Sequence, residues 1–81
     1  MTVQTLFFAV LREALATPQL AVDLPDGATG TDLLDHLASA HSEVARYRGV
    51  VRLAVNGRYV PEVTALEEGD EVALITPVSG G

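Results

Sequence analysis

Apolar and polar residues alternate in steps of two along the first part of the chain, and this period predicts β-strands. Residues 3–10 are rich in β-branched and aromatic side chains and form the first predicted strand. Residues 19–24 alternate regularly and are predicted to form a hairpin with it. Between them, residues 11–16 are predicted to form a short helix that ends at Pro18, because proline lacks a backbone donor.

A helical period follows the turn predicted at residues 25–27 and indicates the main helix. Thr29 is the predicted N-cap, because Asp32 stands three residues later in the capping-box position. The helix is predicted to end near residue 41 and to lie across the sheet. Its apolar stripe consists of Leu33, Leu34, Leu37, Ala38 and His41.

The second half of the chain is predicted to contain a loop and three further strands. In chain order these are a loop at 42–49, a strand at 51–56, a return strand at 58–60, a turn at 67–70 and a strand at 71–76. Asn56 and Gly57 are predicted to join the first two of these strands, because a type I′ turn requires positive φ at both positions. Pro61 and Pro77 are predicted to end the strands that precede them.

This order of elements predicts an α+β fold of the ubiquitin-like β-grasp kind, with a mixed sheet of about five strands and one main helix across one face. We expect a β-grasp domain at residues 1–77 and a flexible C-terminal Gly-Gly tail at residues 78–81. One helix covers only one face of a sheet, so apolar residues on the other face are candidates for an interface, and cover by loops is an equal alternative. The alternation of residues 3–10 assigns Phe7 to that other face. The interface candidates are Phe7, Arg58 and Ile75.

Charge and composition exclude several classes of function. The formal net charge of −6 opposes binding to a phosphate backbone, so we expect no nucleic-acid partner and favour a protein with a basic groove. The chain has no cysteine, which excludes disulfides and cysteine-based sites. The apolar run at residues 6–11 is short and has no basic segment before it, so we expect no targeting signal, no membrane span and a cytoplasmic location.

Common catalytic and metal-binding patterns are weak in this sequence. His36 and His41 are five residues apart and do not share a helical face, so no metal site is expected. The segment at 27–30 leads into a helix but has no lysine, which favours a turn and cap over a nucleotide site. All five basic side chains are arginines, and the sequence leaves open whether some form a basic patch or are ordinary surface charge. They are Arg12, Arg46, Arg48, Arg52 and Arg58.

The last residues provide a stronger candidate. A carboxylate that must pass down a narrow channel needs a thin backbone, and only glycine lacks Cβ, so Gly80 and Gly81 suit such a passage. Ser79 is also small, and Pro77 prevents the sheet from capturing the segment. A frayed terminus or a cloning scar is the alternative interpretation.

Three segments of the chain resemble the small, sulfur-carrying subunits of molybdopterin synthase, a ubiquitin-like β-grasp family shared with the thiamine-pathway sulfur carriers. The first segment is LFFAVLRE at 6–13, the second is LAVNG at 53–57, and the third combines GDEVA at 69–73 with PVSGG at 77–81. The chain departs from the family pattern at Ile75 and Thr76, where Phe-Pro is common, at Glu68, where Asp is usual, and at Gly30, where an apolar residue is frequent.

The resemblance implies a mechanism centred on Gly81. An adenylyltransferase similar to ubiquitin-activating enzymes would use ATP to adenylate its carboxylate, and a persulfide donor would convert the adenylate to a thiocarboxylate. The tail, with Pro77, Val78, Ser79 and Gly80, would then enter the large subunit of a heterotetrameric synthase and donate sulfur to cyclic pyranopterin monophosphate. The chain itself would bind no cofactor and would be a sulfurtransferase subunit that is not catalytic alone.

Three other functions remain open from the sequence. A protein modifier would couple Gly81 to lysines of other proteins, although a chain without lysine cannot build polymers through its own side chains. A sulfur carrier for thiamine or an amino acid would use the same tail chemistry. A plain binding module would make the tail incidental.

Overall fold

The computed structural model describes residues 1–77, which form five strands and three helices. The first half contains β1 (Thr2–Phe7), α1 (Ala9–Leu15), β2 (Gln19–Asp23) and α2 (Gly30–Ala40). The second half contains α3 (Ser42–Tyr47), β3 (Arg52–Val55), β4 (Arg58–Val60) and β5 (Glu71–Ile75).

The strands form one mixed sheet in the order β2-β1-β5-β3-β4. β1 and β5 run parallel at its centre, and the other neighbouring pairs are antiparallel. Because α2 lies against one face of this sheet, the predicted α+β roll of the ubiquitin-like β-grasp kind is confirmed.

The main helix is held by its first residues and by its apolar stripe. The Thr29 side chain accepts from the backbone N–H of Asp32, and the Asp32 carboxylate accepts from the backbone N–H of Thr29, so the predicted capping box is confirmed. Leu33, Leu34 and Leu37 are buried against the sheet. This packing fixes which face of the sheet is covered.

The hairpin between β3 and β4 has the predicted turn. Asn56 has φ +51° and Gly57 has φ +85°, which are the positive values of a type I′ turn. The Asn56 side chain also joins the hairpin to the start of β5, because its Oδ1 accepts from the Glu71 N–H at 3.0 Å. The turn therefore sets the register of three strands.

Two predicted boundaries are wrong. β1 ends at Phe7 rather than residue 10, and α1 starts at Ala9. The reason is that β2, the hairpin partner of β1, begins only at Gln19, and the last bond across the hairpin runs from the Phe7 N–H to the Pro18 carbonyl at 2.9 Å. Beyond that bond β1 has no ladder to continue. The predicted loop at 42–49 contains α3, which is held by the fully buried side chain of Val44.

The predicted face of Phe7 is also wrong. Phe7 is only 1% exposed and belongs to the core, whereas the next residue, Phe8, is 45% exposed. The parallel register pairs Thr5 with Val72 and Phe7 with Leu74, and both β5 residues are buried beneath α2. Side chains of paired residues lie on the same face, so register decides the phase of β1.

Candidate functional site

The strand β5 is the central strand of the sheet and the last element before the C-terminal segment. It is hydrogen-bonded to β1 on one side and to β3 on the other. Pro77, the last described residue, is exposed. Val78, Ser79, Gly80 and Gly81 lie outside the described residues, so their expected roles remain predictions.

The sheet face opposite α2 carries an apolar surface beside the end of β5, which we call the open-face patch. It consists of Leu6, Phe8, Ala54, Tyr59, Ala73 and Ile75. Register joins its members: Leu6 pairs with Ala73, Ala73 with Ala54, and Ala54 with Tyr59. Tyr59 is 68% exposed and Phe8 is 45% exposed, so residues 1–77 leave the aromatic part of the patch open.

Only one of the three interface candidates lies in this patch. Ile75 is half-buried on the open face. Arg58 is exposed but pairs with Val55, and this register places it on the helix side of the edge strand β4. Phe7 is in the core.

Sequence reasoning missed Phe8 and Tyr59, the two most exposed aromatic side chains of the patch. A signal for Tyr59 was present, because a two-residue turn at 56–57 fixes Tyr59 opposite Ala54. Phe8 had no such signal, because every residue from 6 to 11 is apolar.

Arg48 is not available to a basic patch. The Arg48 guanidinium binds the Glu62 carboxylate through two hydrogen bonds of 2.9 and 3.1 Å and donates to Asp35 at 3.2 Å. The hydrogen bonds from Arg48 and from the Thr31 hydroxyl hold the pKa of Glu62 below its ordinary value. Hydrogen bonding to Glu62 raises the pKa of Arg48. Arg48 is therefore occupied within the fold.

The carboxylates of the acidic turn after residue 66 accept hydrogen bonds from the backbone of the fold. The Glu68 carboxylate accepts from the Thr2 N–H at 2.9 Å, and the Asp70 carboxylate accepts from the Glu67 N–H at 2.8 Å. Among residues 1–77, no three potential metal ligands come together, and no helix there is long and apolar enough to cross a membrane.

The segment at 27–30 packs as a turn and cap. Gly27 takes φ +85°, and the Gly30 N–H donates to the Thr64 carbonyl at 3.0 Å. A Cβ on Gly30 would lie 2.7 Å from the Glu62 carbonyl oxygen and would overlap a Leu53 methyl carbon. Its backbone is therefore enclosed by protein.

These features define the class of protein: a small ubiquitin-like β-grasp protein in which residues 1–77 leave one sheet face open and the C-terminal segment follows the central strand. The family model described as the ThiS family matches residues 5–81. The chain belongs to this family.

Relatives and solved structures agree with that assignment. The chain is 43% identical to the molybdopterin synthase sulfur carrier subunit of Drosophila simulans, over 98% of this chain and 90% of that protein. It is 37% identical to the subunit of the same name from Chlamydomonas reinhardtii, over 100% of both chains. The crystal structure of SAMP1 from Haloferax volcanii has a TM-score of 0.84 at 31% identity, with both chains fully covered.

A more distant likeness concerns the fold alone. The complex of subunits 1 and 2 of the molybdopterin-converting factor from Helicobacter pylori contains a chain that matches with a TM-score of 0.72 at 23% identity, over 100% of both chains.

Proposed function

We propose that this chain is the sulfur carrier of molybdopterin synthesis and works as the small subunit of molybdopterin synthase. The observation that carries the proposal is the match over nearly the whole chain, 98% at 43% identity, to a relative of that name. The sequence adds two glycines at its C-terminus, following the central strand β5.

The proposed chemistry takes place on Gly81. Its carboxylate oxygen attacks the α-phosphorus of ATP on an activating enzyme, and pyrophosphate leaves. The terminal sulfur of a persulfide then attacks the carbonyl carbon and AMP leaves, after which a second thiol cleaves the sulfur–sulfur bond and releases the thiocarboxylate. Adenylation is needed because a free carboxylate is a poor electrophile, and the thiocarboxylate sulfur is a better nucleophile than the original oxygen.

The described residues support this chemistry in two ways: they offer a surface on which a partner can bind, and Pro77 ends the strand that precedes the tail. The open-face patch is apolar, is left open by residues 1–77 and includes Ile75 of β5, so a partner that binds it would lie beside the end of that strand. Pro77 cannot donate to a ladder, which favours release of the following residues from the sheet.

The partners proposed for this surface are the large synthase subunit and the adenylyltransferase. The large subunit would bind the cyclic pyranopterin and, as a dimer with one small subunit at each end, would form a heterotetramer. Two successive donations would complete the dithiolene. ATP would be consumed by the activating enzyme in the cytoplasm, and the carrier itself would hold no cofactor.

Protein modification is the second candidate, and one observation favours it. SAMP1, the H. volcanii protein in the structure matched at 31% identity, belongs to proteins named small archaeal modifier proteins. Both functions begin with adenylation of the terminal glycine and differ in the acceptor. The absence of lysine means that such a modifier would not form polymers through its own side chains.

The test is the intact mass of the chain after incubation with its host's activating enzyme, ATP and a persulfide donor. Exchange of one oxygen for sulfur at the C-terminus supports the proposal, and a chain lacking Gly81 is the matched control that should remain unmodified. Adding the large subunit and pyranopterin should then return the carrier to its original mass. Lysine adducts on other proteins in place of the thiocarboxylate would favour the modifier, and failure of any adenylation would reject both.

A further inference from the structure

One arginine interrupts the open face beside the apolar patch. Arg52 opens β3 and pairs in register with Ile75, two residues before the chain leaves the described fold at Pro77. Its side chain is exposed. Among residues 1–77, the ion pairs involve the N-terminus and Arg48, and none involves Arg52.

A surface depression of about 390 Å³ adjoins this arginine, and we call it the Arg52 notch. Its walls include Arg52, Tyr59, Pro61 and Glu62. Pro61 follows Val60, the residue that pairs with Leu53, so the notch lies where β3 begins and the short edge strand β4 ends. Its aromatic wall, Tyr59, is also a member of the open-face patch.

The notch contains one cation, Arg52, that makes no ion pair among residues 1–77, and one carboxylate, Glu62, that is already paired. Glu62 accepts two hydrogen bonds from Arg48, which Asp35 shares, and one from the Thr31 hydroxyl, so part of its charge is compensated within the fold. Arg52 has no such compensation from residues 1–77. A guanidinium in this position offers a planar pair of donors to an incoming anion.

We infer that the Arg52 notch receives an aspartate or glutamate side chain of the large synthase subunit. The inference rests on the proposed function, because docking on the open-face patch would cover Ile75 and remove water from the arginine beside it. A charged group that loses water without gaining a counter-charge opposes binding, so a partner that fits this face must bring a carboxylate to Arg52.

This contact would determine specificity more than total affinity. The chain carries a net charge of −6, so a basic partner surface is attracted to most of the molecule in many orientations. An acidic group is attracted at few places, and the Arg52 notch is one that lies beside the end of β5. Pairing there would favour the orientation in which the tail faces the partner's pocket, and would reject partners with a lysine or arginine at the same point.

The test compares charge reversals at two exposed arginines. Dissociation constants of the host large subunit are measured by calorimetry for the original chain, for Arg52→Glu and for Arg58→Glu, whose arginine lies on the other side of the sheet. Both substitutions change the net charge equally, and neither arginine makes an ion pair within residues 1–77, so both variants should fold. We expect Arg52→Glu to weaken binding at least about tenfold and Arg58→Glu less than about threefold.

A second measurement identifies the acceptor. Acidic residues on the surface of the large subunit are changed to arginine one at a time, and one of them should restore binding to Arg52→Glu. Three results would reject the proposed role of the Arg52 notch without rejecting the proposed function. They are equal weakening by both chain variants, normal binding of Arg52→Glu, and the lack of any restoring exchange. If the original chain does not bind the large subunit, the proposed function fails as well, so the two failures are distinguishable.

Discussion

The guanidinium of Arg48 and the carboxylate of Glu62 face each other through two hydrogen bonds, with Nη2–Oε1 at 2.9 Å and Nη1–Oε2 at 3.1 Å. Arg48 follows α3, and Glu62 lies in the segment that connects β4 to β5. Thr31 of α2 donates to the same carboxylate, so three separate parts of the fold meet at one ion pair.

This pair predicts a pH-dependent contribution to stability. The pKa of Glu62 is held below its ordinary value of 4.5, so its contribution is complete above that value and is lost as pH falls through the lower, folded-state value. We expect Glu62→Gln to reduce the free energy of unfolding by about 0.5–1 kcal/mol at neutral pH, since the pair is partly exposed. Urea unfolding from pH 7 downward should show the difference from the original chain shrinking once the pH falls below the ordinary pKa of 4.5.

The control for that series is Glu13→Gln, which removes an exposed carboxylate that has no ion pair within residues 1–77. Its unfolding curve should follow that of the original chain. A Glu62→Gln difference that stays constant across the acid range would contradict an electrostatic origin.

A buried hydroxyl predicts a stabilising substitution. Thr5 is fully buried, and its Oγ1 has no hydrogen-bond partner within residues 1–77. Valine has nearly the same shape without the polar atom, so Thr5→Val should raise the free energy of unfolding by about 1 kcal/mol. Thr2→Val in the same strand is the control, because the Thr2 hydroxyl donates to Asp23 and its removal should not stabilise. Thermal unfolding of both variants measures this difference, and a Thr5→Val variant no more stable than the original chain would contradict the prediction.

At Gly30 we expect the usual stabilising effect of a glycine-to-alanine change in a helix to be reversed. In an exposed helix, replacing glycine with alanine stabilises by about 1 kcal/mol. Here the new Cβ would lie 2.7 Å from the Glu62 carbonyl oxygen, a backbone atom, so Gly30→Ala should destabilise by about 1–3 kcal/mol. A Cβ on Gly49 would meet nothing within 4 Å, which makes Gly49→Ala the matched control. Equal stability of the two variants in chemical denaturation would refute the packing argument.

The elements that the sequence predicted well are those whose signals are local. The Thr29 cap, the turn at Asn56 and Gly57, and the alternation of β2 each depend on residues a few positions apart. These patterns depend on neighbouring residues and not on tertiary contacts, and the structure contains each of the elements that they predict.

The errors occurred where tertiary contacts determine the bounds of an element or the face on which its side chains lie. The run at 6–11 is apolar at every position, so its phase and its end depend on pairing with β5 and on the bond to Pro18. The helix α3 has six residues and one fully buried side chain, Val44, which is too little periodicity for a sequence pattern to show. The patch around Tyr59 became visible only when register joined four strands across the sheet.

Phe7 and Phe8 provide the sharpest test of the open-face patch, because adjacent residues of the same type lie on opposite faces. Phe7 is 1% exposed, so Phe7→Ala should lower the free energy of unfolding by about 3–5 kcal/mol. Phe8 is 45% exposed, so Phe8→Ala should change stability by less than about 1 kcal/mol. At an interface the same truncation removes a large apolar contact, and we expect binding to the large subunit to weaken at least about tenfold.

The comparison needs a Phe7 variant that remains folded, and Phe7→Leu supplies one because it keeps most of the buried volume. That variant should lose stability yet bind the large subunit as the original chain does, whereas Phe8→Ala should keep its stability and lose affinity. Calorimetric titration and urea unfolding on the same preparations separate the two effects. Normal binding by Phe8→Ala would contradict the expectation that the Phe8 ring is a main contact of the large subunit.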